Sequence, residues 1–195
     1  MEIVLARHGE TDWSRDRRHT GRTDIPLTEA GRRQAALLRD ALARRTFARV
    51  LSSPLSRALE TCRLAGLGEQ AELSDDLLEW DYGDYEGVTT ARIREGRPGW
   101  SLWRDGCPGG ESAADVGRRV DRVIAALEGL EGDAAVFAHG HVLRVLAARW
   151  LGLGPEAGAL LKLDTGTLSA LGYERETRVI TRWNLPVTGP GPPPR

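Results

Sequence analysis

Three segments of the chain deliver an arginine or a histidine directly after a short apolar run. Ile3-Val4-Leu5-Ala6 leads into Arg7-His8-Gly9, Arg49-Val50-Leu51 into Ser52-Ser53-Pro54 with Arg57 close behind, and Ala134 to Ala138 into His139-Gly140-His141. A guanidinium group can pair two phosphate oxygens at once. A neutral imidazole can attack phosphorus and give a phosphohistidine that water later hydrolyses. Positive neighbours disfavour protonation of that imidazole and keep its lone pair available. These residue types together suit chemistry on an anionic phosphate ester. A proton must also reach the leaving oxygen, and a carboxylic acid in the segment Glu79 to Glu86 could supply it. Spacing alone does not choose among Glu79, Asp81, Asp84 and Glu86.

Each apolar run reads as a buried strand, and each basic residue sits where the strand turns toward a helix. In open α/β sheets the crevice beyond the carboxyl ends of the strands is where ligands bind. Ser53 and Pro54 have the residue types of a helix cap and first helical position, so a helix is expected from about Pro54, with Arg57 in its first turn. The dipole of such a turn favours an anion. Val142 to Leu151 reads as a mostly apolar helix, and Thr28 can cap another running to about Arg44. Ser112-Ala113-Ala114-Asp115 has the form of a capping box ahead of the buried stripe Val116, Val120, Val123, Ile124, Leu127. Gly166 to Tyr173 and Arg178 to Trp183 suggest a terminal hairpin. Strands alternating with helices imply one domain, a three-layer α/β/α sandwich with a mostly parallel central sheet. That domain is expected over residues 1–185, followed by a Pro/Gly-rich tail, 186–195, which holds five of the ten prolines.

Residues 79–111 differ in character: Trp80, Tyr82, Tyr85, Trp100 and Trp103 stand among acids and glycines, with a short helix expected near Thr90 to Glu95. Long insertions of this kind form lids or pocket walls. Trp80 and Tyr82 are expected to wall the substrate, and Arg92 and Arg104 to receive a second anionic group. Asp105 and Glu111 read as a solvated loop charge and an early helix charge.

A net charge of −1 gives no global attraction to nucleic acid or to anionic membrane. No apolar stretch approaches the ~20 residues that span a bilayer, and no signal peptide is evident at the N-terminus. Cys62 and Cys107 form no disulfide framework. His139 and His141 lack a third ligand motif, so no metal is expected. Neither a G-x-G-x-x-G after a strand nor a G-K-[ST] loop is present, and no cofactor is expected. The expected setting is cytoplasmic, as a monomer or homodimer acting on a small-molecule phosphate ester.

Four segments in this order carry a resemblance. Arg7 to Thr11 (R-H-G-E-T), Ser53 to Ala58, Leu78-Glu79-Trp80 and Ala138-His139-Gly140 are similar to the motifs of the histidine phosphatase superfamily, which includes cofactor-dependent phosphoglycerate mutase. The resemblance covers about residues 2–185. It implies a phosphoglycerate mutase-like fold. It also implies His8 as nucleophile, Arg7, Arg57 and His139 as binders of the phosphate and transition state, and Glu79 as proton donor. Ser14 stands where the mutases carry an asparagine that contacts phosphate, while Thr20 and Gly21 lie in a loop that approaches substrate. Gly140 and His141 follow the second histidine at the pocket. Glu79 to Gly87, Trp103 to Cys107 and Phe137 to His141 resemble more closely fungal sedoheptulose-1,7-bisphosphatase and bacterial acid phosphatases related to it. Much of the mutase insertion and its lysine are lacking, so hydrolysis is expected. A mutase, a phosphohistidine protein phosphatase and a non-catalytic binder of phosphate ligands are the alternatives.

Overall fold

The computed structural model describes residues 1–187; the rest of the expected tail, 188–195, lies outside the described residues. Six strands form one sheet: β1 (Ile3–Arg7), β2 (Phe47–Ser52), β3 (Ala71–Leu73), β4 (Asp133–Ala138), β5 (Thr167–Glu174) and β6 (Thr177–Pro186). Their spatial order is β3-β2-β4-β1-β5-β6. The first four run parallel, and the β5–β6 hairpin adds an antiparallel edge.

Alternation along each strand splits the core into two layers, because successive side chains point to opposite faces. Ile3, Leu5 and Val136 pack on one face with α6 (Ala113–Leu127) and α7 (Gly140–Trp150). Val4, Ala6, Ala135 and Phe137 pack on the other with α2 (Glu29–Leu42) and α3 (Ser56–Leu64). The predicted three-layer sandwich is therefore present. α2 and α6 begin where the sequence signals, with Thr28 Oγ1 accepting from Gly31 N at 3.0 Å and a complete Ser112/Asp115 capping box.

Two boundaries differ from expectation. α3 begins at Ser56, and its cap comes from another loop: Asp24 Oδ1 accepts from Ser56 N at 2.9 Å. Ser53 Oγ instead meets His139 Nε2 at 2.8 Å and accepts from Leu55 N at 3.4 Å, one residue short of the helix. Pro186, expected to open the tail, is instead the last residue of β6, paired opposite Thr167. A proline is tolerated at an edge-strand end because no ladder partner needs its missing N–H. No helix among the described residues is long and apolar enough to cross a membrane.

The register sets the site. Arg7 lies opposite Ala138 and Ser52 opposite Phe137, so His8, Ser53 and His139 leave three adjacent strands side by side. Helix α2 after β1 and α7 after β4 cover opposite faces, which opens a crevice between those two strand ends.

Candidate active site

Backbone contacts leave His8 little freedom. The turn after β1 meets the start of α2 so closely that a Cβ on Gly9 would lie 2.2 Å from Gly31 O, and one on Gly31 would lie 2.1 Å from Glu10 O. Thr61 of α3 accepts from Gly9 N at 3.1 Å and donates to Arg57 O at 2.7 Å, joining the turn to the helix that carries Arg57. His8 Nδ1 lies 2.7 Å from Gly9 O. A carbonyl only accepts, so Nδ1 carries the hydrogen and the lone pair resides on Nε2. Burial, and then the charges of Arg57 and Arg7, hold the His8 pKa well below the ordinary imidazole value. Such a ring is neutral and nucleophilic.

Arg7 Nη1 donates to Leu163 O at 2.5 Å, while Arg7 Nε is buried without any hydrogen-bond partner among the described residues. A buried donor left unpaired is costly, which marks it as a place for an acceptor from outside the chain. Gly140 makes this placement possible, since a Cβ there would stand 3.2 Å from Arg7 Cζ. Arg57 Nε donates to His139 Nδ1 at 3.1 Å, and its Nη groups donate to the carbonyls of Thr20, Gly21 and Thr23 at 2.9–3.2 Å. His139 therefore carries its hydrogen on Nε2. Its ring centroid is 5.2 Å from that of His8. Burial, followed by Arg57, keeps His139 neutral as well. Arg57 and His139 are wholly buried and lie outside the lining of the open cavity.

Glu79 is the one carboxylate in that lining. Its Oε1 accepts from Trp80 N and Val142 N, and its Oε2 from His141 N, each at 2.9 Å. The acid thus caps the first turn of α7 from another segment. Two of the three alternatives that spacing left open are otherwise engaged: Asp81 pairs with Arg22 at 3.6 Å, and Glu86 Oε1 accepts from Gly21 N and Thr23 N; the third, Asp84, is exposed and outside the lining.

The cavity has a volume of about 380 Å³. Ser14, Thr20, Tyr82, Gly140 and His141 line it, as the sequence suggested. Ser14 also completes the capping box of α1 (Asp12–Arg15), its Oγ accepting from Thr11 N at 2.9 Å. Tyr82 Oη and His141 Nδ1 share a 2.6 Å hydrogen bond. Burial raises the Tyr82 pKa and lowers that of His141, so both are neutral.

Other expected contacts are absent. Trp80 is fully buried outside the lining, with Nε1 donating to Glu111 O at 2.8 Å and its ring against Trp103, so it supports the wall from behind. Gly21 does not line the cavity either; it contributes its carbonyl to Arg57. Arg92 and Arg104 fall outside, exposed and paired with Glu95 and Asp105. Glu111 is not an early helix charge: it precedes the Ser112 cap of α6, Arg119 Nε binds it at 2.8 Å, and Arg119 Nη1 also donates to the carbonyls of Asp76 and Leu78. That buried bridge holds the strand of chain leading into Glu79.

Sequence reasoning missed Arg144, Arg17, Arg18 and Arg94, which all line the cavity. Arg144 was detectable, since it lies one helical turn beyond His141. Its guanidinium sits 4.5 Å from the Trp103 ring centroid, and its Nε donates to Gly158 O at 2.9 Å. Among the described residues, no three His, Cys, Asp or Glu side chains gather in a way that could hold a metal ion.

An imidazole with a free Nε2 lone pair, buried arginines beside it and a carboxyl at the next helix start form the equipment of a phosphatase that works through histidine. The chain belongs to the histidine phosphatase superfamily (branch 1), whose sequence model matches residues 3–186. An acid phosphatase of Mycobacterium tuberculosis is 42% identical over 180 residues, covering 90% of this chain and 88% of that one. Sedoheptulose 1,7-bisphosphatase of Saccharomyces cerevisiae is 37% identical over 183 residues, covering 77% and 68% respectively. The solved structure of an open reading frame product from Mycobacterium tuberculosis superposes with a TM-score of 0.91 at 40% identity, over 96% of this chain and 98% of that one. The fold and the enzyme class expected from the sequence are therefore both correct.

Proposed function

We propose that this phosphatase hydrolyses small phosphorylated metabolites, sugar phosphates foremost, through a phosphohistidine on His8 and without a metal ion. The observation that carries this reading is the pairing of a neutral His8 with the unpartnered buried Nε of Arg7. The arginines supply the fixed positive charge that a metal supplies elsewhere. In the first step the Nε2 lone pair of His8 forms a bond to phosphorus while the ester P–O bond breaks. Arg7 and the Nε2–H of His139, once it turns from Ser53, stabilise the equatorial oxygens, Arg57 adds its positive charge from behind and orients His139, and Glu79 gives its proton to the leaving oxygen. In the second step water attacks phosphorus and the P–N bond breaks. Glu79 takes the water proton, and phosphate leaves.

Preference for small substrates is supported by the walls: Tyr82, Trp100 and Trp103 enclose the cavity and limit how large a group can accompany the phosphate. Rapid quench with phosphate-labelled substrate tests the reading. It should trap an acid-labile, base-stable adduct that is absent from His8→Ala, with turnover unchanged by a chelator. Near-native turnover in His8→Ala, or label transferred to a second ester instead of water, would overturn it.

A further inference from the structure

The cavity does not end at the reacting groups. From His141 its wall continues through Tyr82 (ring centroids 5.9 Å apart), His19 (4.8 Å further) and Trp100 (5.6 Å further). The same cavity is lined by a second group of cations, Arg17, Arg18 and Arg94, from two segments that the Arg18–Thr89 bridge brings together. Each of the three has a local constraint of its own. Arg18 forms a β-bridge with Thr89, next to the start of α4 (Thr90–Gly96). Arg94 Nε donates to Trp100 O at 2.9 Å. Arg17 holds a left-handed φ of 58°, a conformation that glycine adopts freely and arginine does not.

The pattern of ion pairing is what points to a ligand. Four neighbours outside the cavity carry acids: Arg15 has Asp12, Arg22 has Asp81, Arg92 has Glu95 and Arg104 has Asp105, while Arg97 donates to Tyr85 Oη. Arg17, Arg18 and Arg94 have no such partner among the described residues, although all three line the cavity. The lining as a whole holds five arginines against one carboxylate, Glu79. A single phosphate at His8 balances the inner end and leaves the outer one uncompensated. Arg144 is less free to serve there, because its Nε and Nη2 already donate to the carbonyls of Gly158 and Ala159. Thr90 and Ser101, which carry hydroxyl donors, also line the cavity and follow directly on Thr89 and Trp100.

We propose that Arg17, Arg18 and Arg94 form a second anion site, which takes the distal phosphate of a substrate carrying two phosphate groups. This rests on the reading of His8 as the hydrolytic nucleophile. It makes the outer arginines determinants of specificity that contact substrate without taking part in bond breaking.

The test compares fructose 1,6-bisphosphate with fructose 6-phosphate, by turnover on the otherwise wild-type enzyme and by calorimetric binding to the His8→Ala protein. In the Arg18→Gln/Arg94→Gln double variant, KM for the bisphosphate should rise about tenfold to hundredfold with kcat little changed, the effect of losing charged hydrogen bonds. KM for the monophosphate should move by less than about twofold. Arg92→Gln, outside the cavity, should alter neither. In His8→Ala the bisphosphate should bind more tightly than the monophosphate, and adding the two arginine changes should erase that advantage. Equal losses on both substrates, or an equal loss from Arg92→Gln, would overturn the second site. If the unmodified enzyme released phosphate from neither sugar, the catalytic reading would fail, and the binding arm would still decide whether the second site exists.

Discussion

Arg57 Nε donates to His139 Nδ1 across 3.1 Å, and this bond decides which nitrogen of His139 carries hydrogen. The Nε2–H that results points at Ser53 Oγ, 2.8 Å away, and is the donor that a phosphate oxygen would take over. The same guanidinium ties down the carbonyls of Thr20, Gly21 and Thr23, so one side chain fixes both a tautomer and a loop.

Arg57→Lys should therefore be far from conservative. An ammonium keeps the charge but cannot present an Nε–H to His139 while bridging three carbonyls. Each lost hydrogen bond costs about 0.5–1.5 kcal/mol, so a loss of about 2–4 kcal/mol of stability is expected. kcat/KM should drop at least about a hundredfold as the His139 tautomer is released. Chemical denaturation and steady-state kinetics measure both; a variant within about twofold of wild type in kcat/KM would refute the account.

The pH dependence of stability follows from the histidines. His8, His19, His139 and His141 all have pKa values below the ordinary one, with burial as the leading cause. Between each lowered pKa and about 6.5, the unfolded chain binds a proton that the folded chain refuses. Stability therefore rises with pH through that window, by up to about 1.4 kcal/mol per pH unit for each histidine, and levels off above it. Unfolding midpoints measured from pH 5 to pH 8 should climb and then flatten, and His139→Gln should reduce the slope. A midpoint that fell between pH 5 and pH 6.5 would contradict the assignment. The acid limb of kcat/KM should also lie below the ordinary histidine range, because neutral His8 persists there.

The strand ends and their cargo were legible because apolar runs, turns and basic residues occur in one order along the chain. What lay across space was less so. Arg92 and Arg94 are two residues apart on α4 and so face different sides. Arg94 shares the cavity face with Thr90, four residues earlier, whereas Arg92 turns toward Glu95. Choosing between them requires knowing which face of α4 is inward, and a seven-residue helix with one buried side chain, Ile93, gives little periodicity to read. The cap of α3 was misassigned for a related reason. Ser53 has the right residue type, but its hydroxyl meets His139 and the N–H of Leu55 ahead of the helix, and Asp24 arrives from another loop.

Arg119 is another group whose role only packing reveals. It binds Glu111 and the carbonyls of Asp76 and Leu78 while nearly buried. Arg119→Met should leave the Glu111 carboxylate without its cation and should cost about 3–5 kcal/mol. Because Leu78 immediately precedes Glu79, kcat should fall as well, even though Arg119 is outside the cavity lining. Thermal denaturation together with kcat at a temperature where the variant is folded separates the two effects. Unchanged stability would show that the bridge is dispensable.

The role of Glu79 needs a test that a purely structural acid would not pass. Its three accepted N–H bonds mean that Glu79→Gln sets an amide NH₂ against a backbone donor in either orientation, so lost activity alone is ambiguous. Leaving groups resolve this. An alkoxide leaving from a sugar phosphate needs a proton as the P–O bond breaks, whereas the nitrophenolate of p-nitrophenyl phosphate departs without one. General acid catalysis contributes about 10²–10⁴-fold. Glu79→Ala should therefore lower kcat/KM by about that range on sugar phosphates and by less than about tenfold on p-nitrophenyl phosphate. Phosphohistidine should also accumulate on the nitrophenyl ester, since the water that attacks it has lost its base. Equal falls on the two substrates would show that Glu79 serves only to cap α7, and the proton would have to come from elsewhere.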